Sequence, residues 1–359
     1  MNLEQIFTAK SVASFWNTFQ TNNNVAPYLG ESIFPSAKKA GLDIKFIKGN
    51  TGLPISLMPS AFGAQVTVRN RIGVTALQTE MPFFRDSFVV DEVDRQNILR
   101  ATDSNDQFAQ STVANIYRDS KNLIDGANVV PERMRMQLLS PEDGSPKISI
   151  SANGANYEYN FDTDGSFKNN NFIKLSGTSA WTDHEKSDPV KDISDAQDLI
   201  FEKTGEKPSI LIVSKKTMND LVKNKTLQSY IAANSAISGG AIRMSSKRVV
   251  EFLAEELDIT AIVYNKKYED ESGKTNSFFP DDYATLIPST PLGTTWYGTT
   301  PEEADLMQKP DSNVAIVNTG VAVAVITENK VPITTQTIAS EVVMPSFEGM
   351  NKVFCIKTA

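Results

Sequence analysis

Cysteine and histidine occur once each in this 359-residue chain. A single cysteine excludes an internal disulfide and any zinc site built on cysteine. Cys355 lies in "KVFCIK", an alternating stretch that reads as a strand, so a buried structural thiol is expected. A Ser-His-Asp triad has only His184 to draw on, and no G-x-S-x-G accompanies it. Neither G-x-x-x-x-G-K-[ST] nor G-x-G-x-x-G occurs, so both common phosphate cradles are missing. No run of Lys or Arg exceeds a pair, and the net charge is −8. That balance argues against a dedicated nucleic-acid binder and leaves only passing, non-specific contact with DNA. No apolar run is long enough to span a bilayer, so no membrane association is expected. The start, "MNLEQIFTAKSVASFWNTFQ", opens on an acid and lacks a continuous apolar core, so no signal peptide is expected and the protein is placed in the cytoplasm where it is made. The expectation is of no catalytic residue, no metal site and no cofactor.

What is present is an ordinary folding composition, 40% hydrophobic and 22% charged. A chain of this length outgrows one core, so two or more subdomains are expected. Leu3, Ile6, Phe7, Val12, Phe15, Trp16 and Phe19 recur at roughly helical spacing. A helix so close to a terminus lacks a core of its own and is expected to pack on something else, with a neighbouring molecule in view. Residues 42–90 then alternate on both sides of the turn-rich "GNTGLPISLMPSAFG", which predicts a long hairpin with an apolar tip. Two strands alone are marginal in water, so this element also wants a partner. From Asn105 to Leu139 the period becomes helical, with Ala109, Val113, Ile116, Leu123, Ala127, Val130, Met134 and Leu138 on the inward face. Asp103 or Ser104 is the expected cap, and Pro131 predicts a kink near Val130. "ISISANGANYEYNFDTDGSFKNNNFIKL" reads as a hairpin about Asp164-Gly165. Its D-x-D-G lacks the later ligands of a calcium loop and reads as a plain turn.

From Asp192 onward helices and strands alternate. Asp192 is the expected cap of a helix ending at Gly205, "ILIV" is a buried strand, and Ser214 caps the next helix. "SKRVVEFLAEELD" predicts a further helix, and "VAIVNTGVAVAVITENKVPITTQTIASEVVMP" a long β return. His184 stands among carboxylates in "WTDHEKSDPVKDISDAQDLI". Neighbouring residues in a loop point apart, so this stretch reads as a solvated connector and helix cap rather than a metal or catalytic site.

The order of these elements, with "GTSAWTDHEKSDPVKDISDA", "SILIVSKKTMNDL", "NSFFPDDYATLIPS" and "GTTWYGTTPEEADL", resembles the major capsid protein E family. Trp296, Tyr297 and Gly298 fall in the last of these. The resemblance implies an α+β HK97-like fold. It assigns 1–41 to an N-terminal arm, 42–90 to an extended E-loop, and 91–190 to a peripheral domain with a spine helix at 105–139. An axial domain (191–326), a return strand (327–347) and a final axial-domain strand (348–359) complete it. By the same resemblance the chain would be the major capsid protein of a tailed bacteriophage. It would assemble as hexamers and pentamers into an icosahedral shell around double-stranded DNA, in the host cytoplasm and then in the virion. Scaffolding, portal and decoration proteins are its implied partners. The candidate inter-subunit residues are Phe15, Trp16 and Phe19 in the arm, and Leu53, Ile55, Leu57, Met58, Phe62, Val66 and Val68 in the loop. Lys45, Lys48 and Asn50 lie in the same loop, but with no matching carboxylate no isopeptide cross-link is expected. An encapsulin-like compartment shell and a soluble hydrolase using His184 are the competing readings.

Overall fold

The computed structural model describes residues 7–23, 26–48, 75–103, 107–152, 155–234, 244–270, 272–328 and 332–359. The chain forms two compact units. One gathers the chain up to Lys45 with Gln78–Arg133 and Thr294–Ser346, and the other is built on Met134–Gly293 and Phe347–Ala359.

The first unit is organised by one strand of 12 residues, Thr334–Pro345. On one side it pairs antiparallel with Phe83–Val90, from Thr335 opposite Val90 to Val342 opposite Phe83. On the other it pairs antiparallel with Val321–Glu328, which in turn pairs with Val314–Val317. Its far end takes up Thr295–Tyr297, and Ser36–Lys38 adds to that strand in parallel. Alternation puts Val90, Val317, Val321, Val323 and Val325 into one apolar cluster. The same cluster takes Phe7, then Ala9, Val12, Ala13 and Trp16 from the N-terminal helix, Ala9–Asn23, with Ile116 and Ile124 from the long helix, Gln107–Leu139. The N-terminal helix therefore packs on something else, as expected, and that something is the sheet and long helix of its own chain. The sequence pattern saw its apolar face but not the valine face of a sheet formed some 300 residues later.

The long helix starts near the predicted position and continues through Pro131. A separate helix, Glu92–Asp103, precedes it. Its inward stripe is shifted by one residue in the middle: Ile124 is fully buried and Leu123 only partly. The helix ends with its last carbonyls occupied, as buried polar groups require. Thr285 Oγ1 donates to Leu139 O at 2.6 Å, and the Cys355 thiol donates to the same oxygen at 3.3 Å. Full burial pushes that thiol up to about 12, which fits the expected structural cysteine.

The second unit holds a five-stranded sheet in the order Phe172–Lys174, Phe354–Lys357, Tyr283–Ile287, Ile210–Val213, Thr260–Val263. The chain's last strand lies inside this sheet, between Phe172–Lys174 and Tyr283–Ile287. Helices Pro189–Thr204, Lys215–Lys223 and Ser246–Leu257 supply Ile193, Ile200, Met218, Leu221, Val249 and Leu253 to its core. Ser214 and Gly205 cap as expected: the Ser214 side chain accepts from Thr217 N, and Gly205 has φ 73°.

Three readings change. The hairpin after the long helix is Lys147–Ala152 with Ala155–Asn160, so Asp164-Gly165 is not its turn. Gly165 instead opens the short helix Ser166–Asn170, and the Asp162 carboxylate accepts from Phe167 N and Lys168 N. The cap of the helix at 189 is Asp188, which accepts from Lys191 N ahead of Pro189 at the first turn. Asp192 accepts from Trp181 Nε1 at 2.9 Å, and burial raises its pKa above the ordinary carboxylate value. Finally, divisions at 190 and 326 do not coincide with the compact units. Residues 134–190 belong with the second unit, and Val321–Glu328 is zipped to Thr334–Pro345, so a boundary at 326 cuts a hydrogen-bonded pair.

The shifted stripe gives a direct check. Ile124→Ala is expected to cost about 2–5 kcal/mol, as for other fully buried aliphatics. Leu123→Ala should cost about 1 kcal/mol or less. Thermal denaturation of the two variants with equal losses contradicts the assignment.

Candidate functional site

The residues that position the hairpin come from the segment Thr295–Glu303 together with the two roots of the hairpin. The hairpin strands, Asp43–Lys48 and Thr75–Glu80, form a two-stranded sheet of their own. Immediately below them Met81 N donates to Leu42 O at 2.9 Å. Tyr297 O accepts from Lys39 N at 2.8 Å, and Gly298 N donates to Val342 O at 2.8 Å. Gly298 is needed because three groups converge on it. A Cβ there would lie 2.6 Å from Val342 Cγ1, 2.7 Å from Gly41 O and 2.9 Å from Met81 Cε. Gly41 itself has φ +87°, a conformation that favours glycine.

Thr300 then caps the helix Pro301–Gln308, its hydroxyl accepting from Glu303 N. Two acids in the first turn, Glu302 and Glu303, are both buried. Glu303 Oε2 accepts from Lys38 Nζ, which also donates to Gly298 O at 2.8 Å. Glu302 Oε1 pairs with Arg85 Nη2, and Glu302 Oε2 accepts from Ser340 Oγ at 2.6 Å. Sequence reading singled out "GTTWYGTTPEEADL" but assigned no role to Lys38, Arg85, Glu302 or Glu303. The readable signal was an acidic pair directly after a Thr-Pro cap. Its two cationic partners, more than 200 residues away, carry no local mark.

Of the candidate contact residues in the arm, Trp16 is 6% exposed and its indole N–H donates to Asp125 Oδ1 at 2.8 Å. It belongs to the subunit's own core. Phe15 packs on Tyr117 with ring centroids 5.3 Å apart. Phe19 is 37% exposed and carries Lys121 Nζ over its ring at 4.3 Å. Leu53, Ile55, Leu57, Met58, Phe62, Val66 and Val68, with Asn50, lie outside the described residues.

His184 is not simply solvated. Its Nε2 lies 3.0 Å from Asp220 Oδ1, and its backbone carbonyl accepts from Lys225 N at 2.8 Å. The loop is further tied down by Lys225 Nζ to Glu185 and by Asn224 Nδ2 to Ser187 Oγ. Among the described residues no group of three or more His, Cys, Asp or Glu could hold a metal ion. No helix of the described residues is long and apolar enough to cross a membrane.

Gly298→Ala is expected to cost about 1–3 kcal/mol through overpacking, since one of the three obstructing atoms is a backbone oxygen. An unchanged melting temperature contradicts the close approach at the hairpin root.

A comparison with curated proteins finds no matching sequence. Solved structures do match. A chain described as the capsid protein of a prophage in E. coli CFT073 aligns with TM-score 0.64 at 16% identity, covering 98% of this chain and 99% of that one. A phage-related protein from Bordetella bronchiseptica RB50 aligns with TM-score 0.56 at 13% identity, covering 98% and 97%. The capsid asymmetric unit of cyanophage A-1(L) gives 0.52 at 10% identity, covering 93% of each chain. At these identities the likeness establishes the fold, which is the HK97-like fold. The sequence profile described as "Phage major capsid protein E" matches residues 11–340, most of the chain. The chain belongs to the phage major capsid protein E family and is a phage shell protein.

Proposed function

We propose that the chain builds an icosahedral shell around double-stranded DNA as hexamers and pentamers, without catalysing a reaction. The observation that carries this reading is the family match across residues 11–340, which includes both hairpin strands. A two-stranded sheet such as Asp43–Lys48 with Thr75–Glu80 is marginal alone in water, and a neighbouring copy supplies the missing burial. In this reading the loop laid on a neighbour is the hairpin above Leu42 and Met81, shorter than the expected 42–90 because Phe83–Val90 pairs with Thr334–Pro345 in the subunit's own sheet, and Leu53, Ile55, Leu57, Met58, Phe62, Val66 and Val68 are the inter-subunit contacts. Of Phe15, Trp16 and Phe19, Phe19 has the most surface to offer a second copy. Individual contacts need only modest area, because each subunit makes several and closure makes them multivalent. The net charge of −8 suits a container that holds DNA without binding it to the wall. Assembly takes place in the host cytoplasm with scaffolding and portal proteins, with a decoration protein as a further partner, and the product resides in the virion.

Co-expression of the chain with the structural genes beside its own, followed by electron microscopy of the purified material, tests this. Closed hollow particles are expected. Discrete small oligomers with no closed particle contradict the reading.

A further inference from the structure

Two consecutive acids at the start of one short helix hold the two roots of the hairpin from opposite sides. Glu303 reaches Lys38, ahead of the first hairpin strand, at 2.5 Å. Glu302 reaches Arg85, beyond the second hairpin strand, also at 2.5 Å. We propose that Glu302 and Glu303 are positioning residues for shell assembly. They fix the spacing and direction of the two roots, so that the hairpin meets a second copy of this chain in one geometry. The inference rests on the reading of the hairpin as an inter-subunit element.

Four observations favour positioning over a merely stabilising role. The helix does not need these acids to start, because Thr300 caps it and Pro301 occupies its first turn. The cations are well exposed, with side-chain exposures of 32% for Lys38 and 44% for Arg85. A pair with one partner this exposed is screened by water and adds less folding stability than a fully buried one. The carboxylates, at 9% exposure each, are by contrast buried. Ser340 Oγ fixes Glu302 from the long strand, and Gly298 O shares the Lys38 ammonium, so each cation is held to one place. Lastly, among the described residues the hairpin strands pair only with each other, and a two-stranded ribbon has no means of setting its own direction. Its direction comes from what grips the roots. Arg85 sits opposite Ser340 in the strand register, so the clasp is locked to the same long strand that anchors the sheet.

The test uses full-length chain co-expressed with the structural genes beside its own. The variants are Glu302→Gln with Glu303→Gln, which keeps shape and removes both charges, Glu303→Lys alone, and the swap Lys38→Glu with Glu303→Lys. Two quantities are read: the melting temperature of unassembled subunit and the fraction sedimenting as closed particles. The double Gln variant is expected to melt within about 4 °C of the parent. Its particle yield should fall roughly tenfold or more, because a small misalignment is repeated at every contact of a closed shell. The charge swap is expected to recover much of the yield that Glu303→Lys alone loses. Unchanged yield in the double variant overturns the inference, as does a loss of yield that merely tracks melting temperature across all variants. A parent that forms no particles overturns the shell reading itself, and the inference falls with it. Parent particles beside unaffected variants overturn the inference alone.

Discussion

Thr334–Pro345 is hydrogen-bonded along both edges, and the first unit is assembled around that constraint. Such a strand leaves no free ladder to water, and its neighbours are fixed in register because a slip of one residue would turn every side chain to the wrong face. Three distant parts of the chain are thereby brought together: the stretch leading out of the hairpin, the Thr295–Tyr297 strand, and the Val321–Glu328 strand. The valines on one face close over the N-terminal and long helices. The side chains on the other face include Arg85 and Ser340, which carry the acids of the Pro301 helix.

From that arrangement the functional logic follows. A shell subunit must be stable before it meets its neighbours, yet must keep something unfinished for them to complete. Here the sheet and its helices are finished within the chain, and the described hairpin strands form a two-stranded element of their own whose roots are gripped. Gly298 lets Gly41, Met81 and Val342 crowd together at the base, and the paired acids brace it from either side. The chain's one thiol and one imidazole are both engaged in hydrogen bonds within the fold.

Much of this was legible in the sequence, wherever the information is local. The helical period of 107–139, the Ser214 and Gly205 caps and the alternating return strands were readable because each rests on neighbours within a few residues. Errors arose where distant residues decide. Ile124 rather than Leu123 is fully buried, in a cluster with valines of strands far along the chain that the helical period could not see. Asp188 displaces Asp192 as a cap because Trp181 claims the Asp192 carboxylate. Trp16 turned inward because valines from the far end of the chain were waiting for it. The clasp was illegible for the same reason. Lys38 and Arg85 look like any surface cations until the fold sets them beside two acids.

The central claim is a subunit complete in its sheet and incomplete in its hairpin. Hydrogen–deuterium exchange on unassembled subunits and on particles measures this most directly. The account predicts that amides of Thr335–Val342 and Phe83–Val90 are protected in both states, while those of the strands Asp43–Lys48 and Thr75–Glu80 gain protection only in particles. Full protection of the hairpin strands in the free subunit, or rapid exchange along Thr335–Val342, would contradict it.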